Sequence, residues 1–521
     1  MKSVISIKIL FVLLFVISCI STKEINKKSE LKYSRGKGDL IVLANDSSIY
    51  KLEDFKLSDT LISGLGTVEK NGEEKKFSGS IEIQNISYIQ LRYFNLVNTL
   101  FAATASAVVG GLALSYLNNN DNISVNEWIR TYYPGGGGGG WGGGGFGSCP
   151  LVFVLDNNEF VLKSETFGGA IFKLAERVCY DNLGNIPTPG NRITLKLANY
   201  LTETDYMNEL KLFSVKVPND VITVIPAVNG KFHTIREKVA PESCIDFSGV
   251  DVKSKIIECD SIIWSSELEN KDLTKKENMR DGLILEFEKH KVGKRCKLVV
   301  TGKNTALGNF AINQILQLNG ENLLQWYQKI ESNRNEGMKV LEWMLREGML
   351  HISIWDGNRW KECSAILDPG PILYRENIAE LELPAISGEN LKIKLECALD
   401  LWMIDQVYLD YTDDYEIVAN EIPIERAIDN YSGKDISSLI RKDDEKYYTA
   451  FPGQYAIIEF DIPNSNPLEN HTYILKTKGY YHPWTAPDGE YNPALWENIL
   501  KEPSLAGTLY MEKWKQFRAN Q

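Results

Sequence analysis

The reading of this chain turns on PGGGGGGWGGGGFGSCPLVFVLD, which runs from Pro134 to Asp156. Eleven of the thirteen residues 135–147 are glycine. Such chain is a flexible coil whose reach is about 5–6 Å times the square root of its length, roughly 20 Å here. A phosphate-cradling loop would need Gly-Lys-Ser/Thr behind it and a strand–loop–helix frame. Neither is present, so the stretch reads as a hinge. It separates an N-terminal part concerned with attachment from a long β-patterned body that opens at Ser148-Cys149-Pro150. The expected class is mainly β with a helical insertion (α+β). Its parts are a small N-terminal antiparallel β-domain, an apolar helix, the hinge, and β-sandwich-like domains.

On the N-terminal side, Lys2 and Lys8 accompany an unbroken apolar run over residues 9–17. Nine residues are too few to span a bilayer and fit a signal-peptide core. The run ends in Val16-Ile17-Ser18-Cys19, which resembles a bacterial lipobox with Val16 in place of the usual Leu. The resemblance implies a signal peptide over residues 1–18, export, and lipid on Cys19, so that membrane lipid is the first expected partner. Stable attachment takes more than one acyl chain, which lipoprotein maturation would supply. Residues 19–36, rich in Lys, Ser and Glu, read as a lipidated tether. Ile20 rather than Asp follows the cysteine, which in lipoproteins of this type points to the outer over the inner membrane of the cell envelope.

Residues 37–94 alternate as strands. Leu40-Ile41-Val42-Leu43 meets Asn45-Asp46-Ser47-Ser48, and Asn71-Gly72 sits between two alternating runs, a strong hairpin signal. Residues 95–118 hold an uncharged run at 100–117, long enough to span a membrane. It is rich in Ala, Gly, Ser and Thr, and Ala103, Ala107 and Gly111 recur at the spacing of tight helix–helix contacts. A span would return the body to the cytoplasm, against the export signal. The run is therefore open to three readings: a docked helix, a true transmembrane helix, or an interfacial helix. Residues 119–147 form the linker with its hinge.

Beyond the hinge, Leu151 to Leu155, the turn Asp156-Asn157-Asn158 and Glu159 to Leu162 make a hairpin, followed by Glu165-Thr166-Phe167-Gly168-Gly169-Ala170. Together with Asn199, Glu203, Thr204 and the strand from Leu210 to Val217, this stretch resembles uncharacterised exported lipoproteins of Bacteroidota and similar bacteria. Those carry a Ser-Cys-Pro-x-Val-Tyr-Val hairpin, with Phe153 here in place of the Tyr. The resemblance implies a β-rich extracytoplasmic fold and no particular activity. Residues 148–302 are expected to form a β-rich domain, 303–348 a helical insertion, and 349–521 a β-sandwich-like domain with an aromatic C-terminal tail. Residues 410–446 carry 11 acidic against 5 basic side chains and read as a solvated excursion.

With 521 residues, 43% hydrophobic and 10% aromatic, the chain is globular and too long for one small core. The net charge of −12 excludes the basic face that a nucleic-acid partner needs. It also opposes binding to anionic headgroups, so attachment must be hydrophobic or covalent. With Cys19 used for lipid, seven cysteines remain, an odd number that leaves at least one thiol outside any intramolecular disulfide, and none is spaced CxxC. None of the five histidines stands in HExxH, and no Gly-x-Ser-x-Gly elbow occurs. No catalytic residue, metal site or cofactor is therefore expected. Asp410, Asp413, Asp414 and Glu416 lack the spacing of a calcium loop. The best ligand-contact candidates are Tyr480, Tyr481, His482 and Trp484, because aromatic rings with polar tips stack on sugars or anchor interfaces. The expected function is a non-enzymatic binding or assembly lipoprotein, with an envelope protein or a glycan as partner. The alternative is a carbohydrate-active hydrolase with paired carboxylates.

Overall fold

Alternating burial along short strands builds most of the chain, and the strand pairings in the described residues are antiparallel. The computed structural model describes residues 20–24, 39–44, 48–57, 60–70 and 73–94. From 150 onward it describes all but 187, 202, 289–294, 384–389, 463–469, 484, 486–488 and 520–521. The expected signal peptide over residues 1–18, Cys19, the apolar run 100–117, the expected hinge, Cys149 and Trp484 lie outside the described residues. The chain divides into two compact units, Met1–Asn122 and Ile123–Gln521.

The first unit is one six-stranded sheet in the order Ile20–Glu24, Ile86–Phe94, Asp39–Ala44, Ile49–Leu57, Leu61–Lys70, Glu73–Glu82. Leu40 and Val42, two apart and so on one face, pack with Leu52, Ile62 and Ile81. The strands Leu61–Lys70 and Glu73–Glu82, on either side of the expected Asn71-Gly72 turn, pair with Lys70 opposite Glu73. One reading is corrected. Ile20–Glu24, expected within the tether, pairs with the last strand from Ile20↔Phe94 to Glu24↔Gln90. A five-residue edge strand with Lys and Glu has no hydrophobic alternation to mark it.

The second unit is mainly β with a few helices. One sheet runs Ile424–Asp429, Tyr455–Asp461, Arg192–Ala198, Leu151–Asp156, Glu159–Glu165. A second runs Ala419–Ile422, Glu203–Lys216, His471–Pro483, Arg177–Gly184. Two further sheets join Ser243–Asp246, Arg280–Glu288, Asn390–Ala398, Leu350–Trp355 and Trp360–Ile366, and Arg375–Glu382, Arg295–Asn304 and Trp402–Asp410. These sheets share one hydrophobic core.

The boundaries expected at 302 and 349 therefore do not divide the body. Arg192 pairs with Asp461 and Arg280 with Ala398, because each early strand completes its ladder with a late one. Nor are residues 410–446 a solvated excursion. They contribute Ala419–Ile422 and Ile424–Asp429 to the sheets, and Asp410 and Asp429 are buried.

The helices Leu307–Gln317, Leu323–Ser332 and Arg334–Gly348 form the expected insertion. The third begins at Arg334, where the Asn333 side chain accepts hydrogen bonds from the amides of Asn335 and Glu336 and caps it. The tail adds Pro493–Lys501, with Pro493 in its first turn and Asn492 as cap, and Leu505–Ala519. Among the described residues, no helix is long and apolar enough to cross a membrane. The six described cysteines of the body are free, and burial pushes the thiols of Cys244, Cys296 and Cys397 up to about 12.

Candidate functional site

The aromatic residues of the tail are placed by the ladder between Glu203–Lys216 and His471–Pro483. Tyr206 lies opposite Tyr480, and Thr204 opposite His482. Alternation puts Tyr480 and His482 on one face. Tyr206 stacks on Tyr480 at 4.5 Å between centroids, His482 lies 4.5 Å from Tyr327, and its Nε2 is 2.9 Å from Glu331 Oε1. Tyr481 faces the other way, and its hydroxyl accepts from the Gly169 amide at 3.3 Å. Tyr480 and Tyr481 are each 1% exposed, and the His482 side chain 19%. Two of the four expected contact residues are thus brought together, but inside the body. Burial raises the hydroxyls of Tyr480, Tyr206 and Tyr327, so they remain neutral packing groups.

The same strand carries a feature that sequence reasoning missed. Glu203 and Asp205, two apart and so on one face, are 0% and 2% exposed. The two carboxyls lie within reach of one another, and no third described group donates to any of their four oxygens. Burial pushes both acids well up. Asp205 and Glu165 raise Glu203 further, whereas the hydrogen bond from Glu203 partly offsets the rise at Asp205. Two buried carboxyls this close hold at least one proton between them. Glu165 is also fully buried, and its Oε2 accepts from the amides of Ile372 and Leu373 at 2.8 and 3.3 Å. The i, i+2 spacing was visible in the sequence, but nothing local marked the strand's face as interior.

A second polar cluster gathers His233, Glu380 and Asp414, whose ligand atoms lie within 4.8 Å of one another. Lysines fill it. Lys231 Nζ is 2.7 Å from Glu380 and 3.0 Å from Asp414, and Lys297 Nζ is 3.3 Å from Asp414 and 3.1 Å from Asp410. An ammonium stands where a metal ion would have to sit. Burial alone would raise the Asp414 carboxyl. Hydrogen bonds from His233, Lys231 and the Thr234 amide outweigh it and hold the carboxyl below its usual range.

A cavity of about 330 Å³ lies among the helices. Its walls come from Leu307–Gln317, Arg334–Gly348, Leu505–Ala519 and the turn at Gly168, Gly169 and Ala170. The lining is mainly apolar, and Met279, Met344, Met349 and Met511 contribute four of the chain's eight methionines. Polar residues at the wall include Glu176, Arg177, Glu347, Asp368 and Tyr510. The volume lies within the ~300–1,000 Å³ of small-molecule pockets, and an apolar lining with a few polar groups is their usual chemistry.

The turn before the cavity links it to the carboxyl pair. Glu165 is near enough for its charge to raise Glu203, while Gly168, Gly169 and Ala170 line the cavity. Between them Phe167 is fully buried in the left-handed region at φ 34°, which a bulky residue adopts only where its surroundings over-determine it. The Cys179 sulfur accepts from its amide at 3.1 Å. Gly169, at φ 75°, sits against the Asp368 carboxylate. The segment that carried the sequence resemblance is therefore the wall between the two features.

No protein-family model and no curated protein matches the chain. Among solved structures it is similar to the GH31 alpha-xylosidase Xac1773 from Xanthomonas citri, at 9% identity and a TM-score of 0.16. The alignment covers 85% of this chain, which spans only 38% of the xylosidase. A likeness of that size carries neither fold nor function.

Proposed function

We propose that this protein is an exported lipoprotein of the bacterial cell envelope, held by Cys19, whose body is a binding module for an apolar ligand. The observation that supports the binding role is the methionine-lined cavity among the helices. The leader, from Lys2 and Lys8 to Val16-Ile17-Ser18-Cys19, supports the anchor. A hydrolase would need its carboxyls within reach of a glycan. Glu203 and Asp205 are 0% and 2% exposed, so binding is the reading the geometry favours.

Two measurements test this. Ala311 lies on the cavity wall and is only half-buried, so Ala311→Trp fills the space without burying a charge. The full chain is expected to bind the neutral fluorescent probe N-phenyl-1-naphthylamine, and the variant to bind it at least tenfold more weakly. Equal binding by both would place the probe elsewhere and remove the cavity from the proposal. For the anchor, Cys19→Ala is expected to move the protein from the membrane fraction to the soluble one. Retention in the membrane would make the run 100–117 the anchor instead.

A further inference from the structure

We infer that binding in the cavity is coupled to the proton held by Glu203 and Asp205, with Glu165 as the link, so that loss of this proton weakens the bound state. The inference rests on the binding role proposed above and adds its regulation by pH.

The link is made of contacts. Glu165 opens the segment that continues into the cavity-lining residues Gly168, Gly169 and Ala170. Its Oε2 accepts from the amides of Ile372 and Leu373, just beyond the cavity-lining Asp368. One carboxylate thus ties together two segments that form this side of the cavity. Their glycines let them touch. A Cβ at Gly370 would come 2.3 Å from Glu165 Cδ, and one at Gly168 3.1 Å from the Gly370 nitrogen. The Gly370 amide donates to Asp368 Oδ1 at 2.8 Å. A second route runs through Tyr481, which lies opposite Asp205 and whose hydroxyl accepts from the Gly169 amide at 3.3 Å. The pair and the cavity are therefore joined by a continuous chain of packed groups.

The same segment has a strained conformation to lose. Phe167 is held at φ 34° by its surroundings, with its ring against Gly479. Weakening the tie at Glu165 removes part of what holds it there.

Charge sets the direction. Glu203 and Asp205 are buried, and no third described group donates to them. When their proton leaves, a further negative charge appears near Glu165, and like charges repel strongly away from water. The other facing groups do not offset it. The hydroxyls of Tyr206, Tyr327 and Tyr448 feel the pair, but burial holds all three up and neutral. Tyr448 donates to Asp429 at 2.8 Å, and Glu331, which acts on Tyr206 and Tyr327, lies 2.9 Å from His482. The Arg177 guanidinium, always charged, donates to the Asp368 carbonyl oxygen. Lys303 feels the Glu165 charge, but burial lowers its ammonium, so on alkalinisation it sheds positive charge. Both changes work against the tie.

The test is titration of the full chain with neutral N-phenyl-1-naphthylamine from pH 5.5 to the highest pH, near 8.5, at which near-ultraviolet circular dichroism is unchanged. The wild type is expected to bind about tenfold more weakly at the upper pH, within the limit of tenfold per pH unit for one linked proton. The double variant Glu203→Gln/Asp205→Asn is expected to bind equally across the range. Linkage is reciprocal, so probe binding at the upper pH should draw protons into the wild type. Calorimetry in two buffers of different ionisation enthalpy reads that uptake. A wild-type affinity independent of pH, or binding without proton uptake, overturns the coupling and leaves the cavity as a binding site. A pH dependence that persists in the double variant overturns the assignment to this pair. If the probe binds at no pH, or binds Ala311→Trp equally well, the binding role falls as well.

Discussion

Replacing Lys297 by Met is expected to destabilise the body by about 3–5 kcal/mol at pH 7, the cost of leaving buried charge unpaired. The Lys297 side chain is 5% exposed and Asp410 0%. The ammonium lies 3.1 Å from Asp410, 3.3 Å from Asp414 and 2.6 Å from the Thr234 carbonyl. Methionine fills the space but leaves two carboxylates facing each other across it. Urea unfolding should show a lower midpoint at unchanged slope, and adding Asp410→Asn should restore part of the loss. A change below about 1 kcal/mol would mean that the amides of Arg236 and Thr412, which also donate to Asp410, suffice alone. The pH dependence gives a second check. The Asp414 carboxyl is held below its unfolded value. Its contribution is present above the unfolded pKa near 3.9 and is lost as pH falls below it. The difference between wild type and Lys297→Met should therefore narrow on acidification.

Glu203→Gln and Asp205→Asn should act in the opposite sense. Both acids sit well above their ordinary values because they are buried together. A carboxyl raised in the folded state contributes stability below its unfolded pKa, near 4, and that contribution is lost as pH climbs through the folded value. Each pH unit in that window costs the wild type about 1.4 kcal/mol per retained proton. Either amide variant should therefore match or trail the wild type near pH 4 and be the more stable near pH 8. In Glu203→Gln the new amide also donates to Asp205, which now lacks a donor from any other described group. Chemical denaturation at pH 4, 6 and 8 checks this. A pH-independent difference would mean that the pair ionises freely and that its burial has been relieved by local opening.

Local pieces of this fold were open to inspection in the sequence. The turn Asp156-Asn157-Asn158 was readable because Asn tolerates the left-handed conformation, and both Asn157 and Asn158 adopt it, at φ 48° and 67°. At Asp356-Gly357-Asn358 it is glycine that takes the left-handed position, with Gly357 at φ 98° and Trp355 opposite Trp360 beyond it. The aromatic tail expected there ends in the helix Leu505–Ala519. The strand at Tyr480 was less clear. A run of aromatics reads equally as a binding surface or a buried ladder, and only the partner strand with Tyr206 makes it the latter.

The sequence by itself determined the class, mainly β with a helical insertion, because alternation, turn chemistry and helix spacing act between residues a few positions apart. The tertiary structure alone decided what is inside. Lys297 meets Asp414 across 117 positions and Arg192 meets Asp461 across 269. Such pairings depend on which strands complete each other's ladders, and no local pattern encodes that choice. The same holds for the Glu203 and Asp205 pair and for the cavity. A carboxyl is ordinary on a wet strand and a proton trap on a covered one, and the covering comes from segments far along the chain.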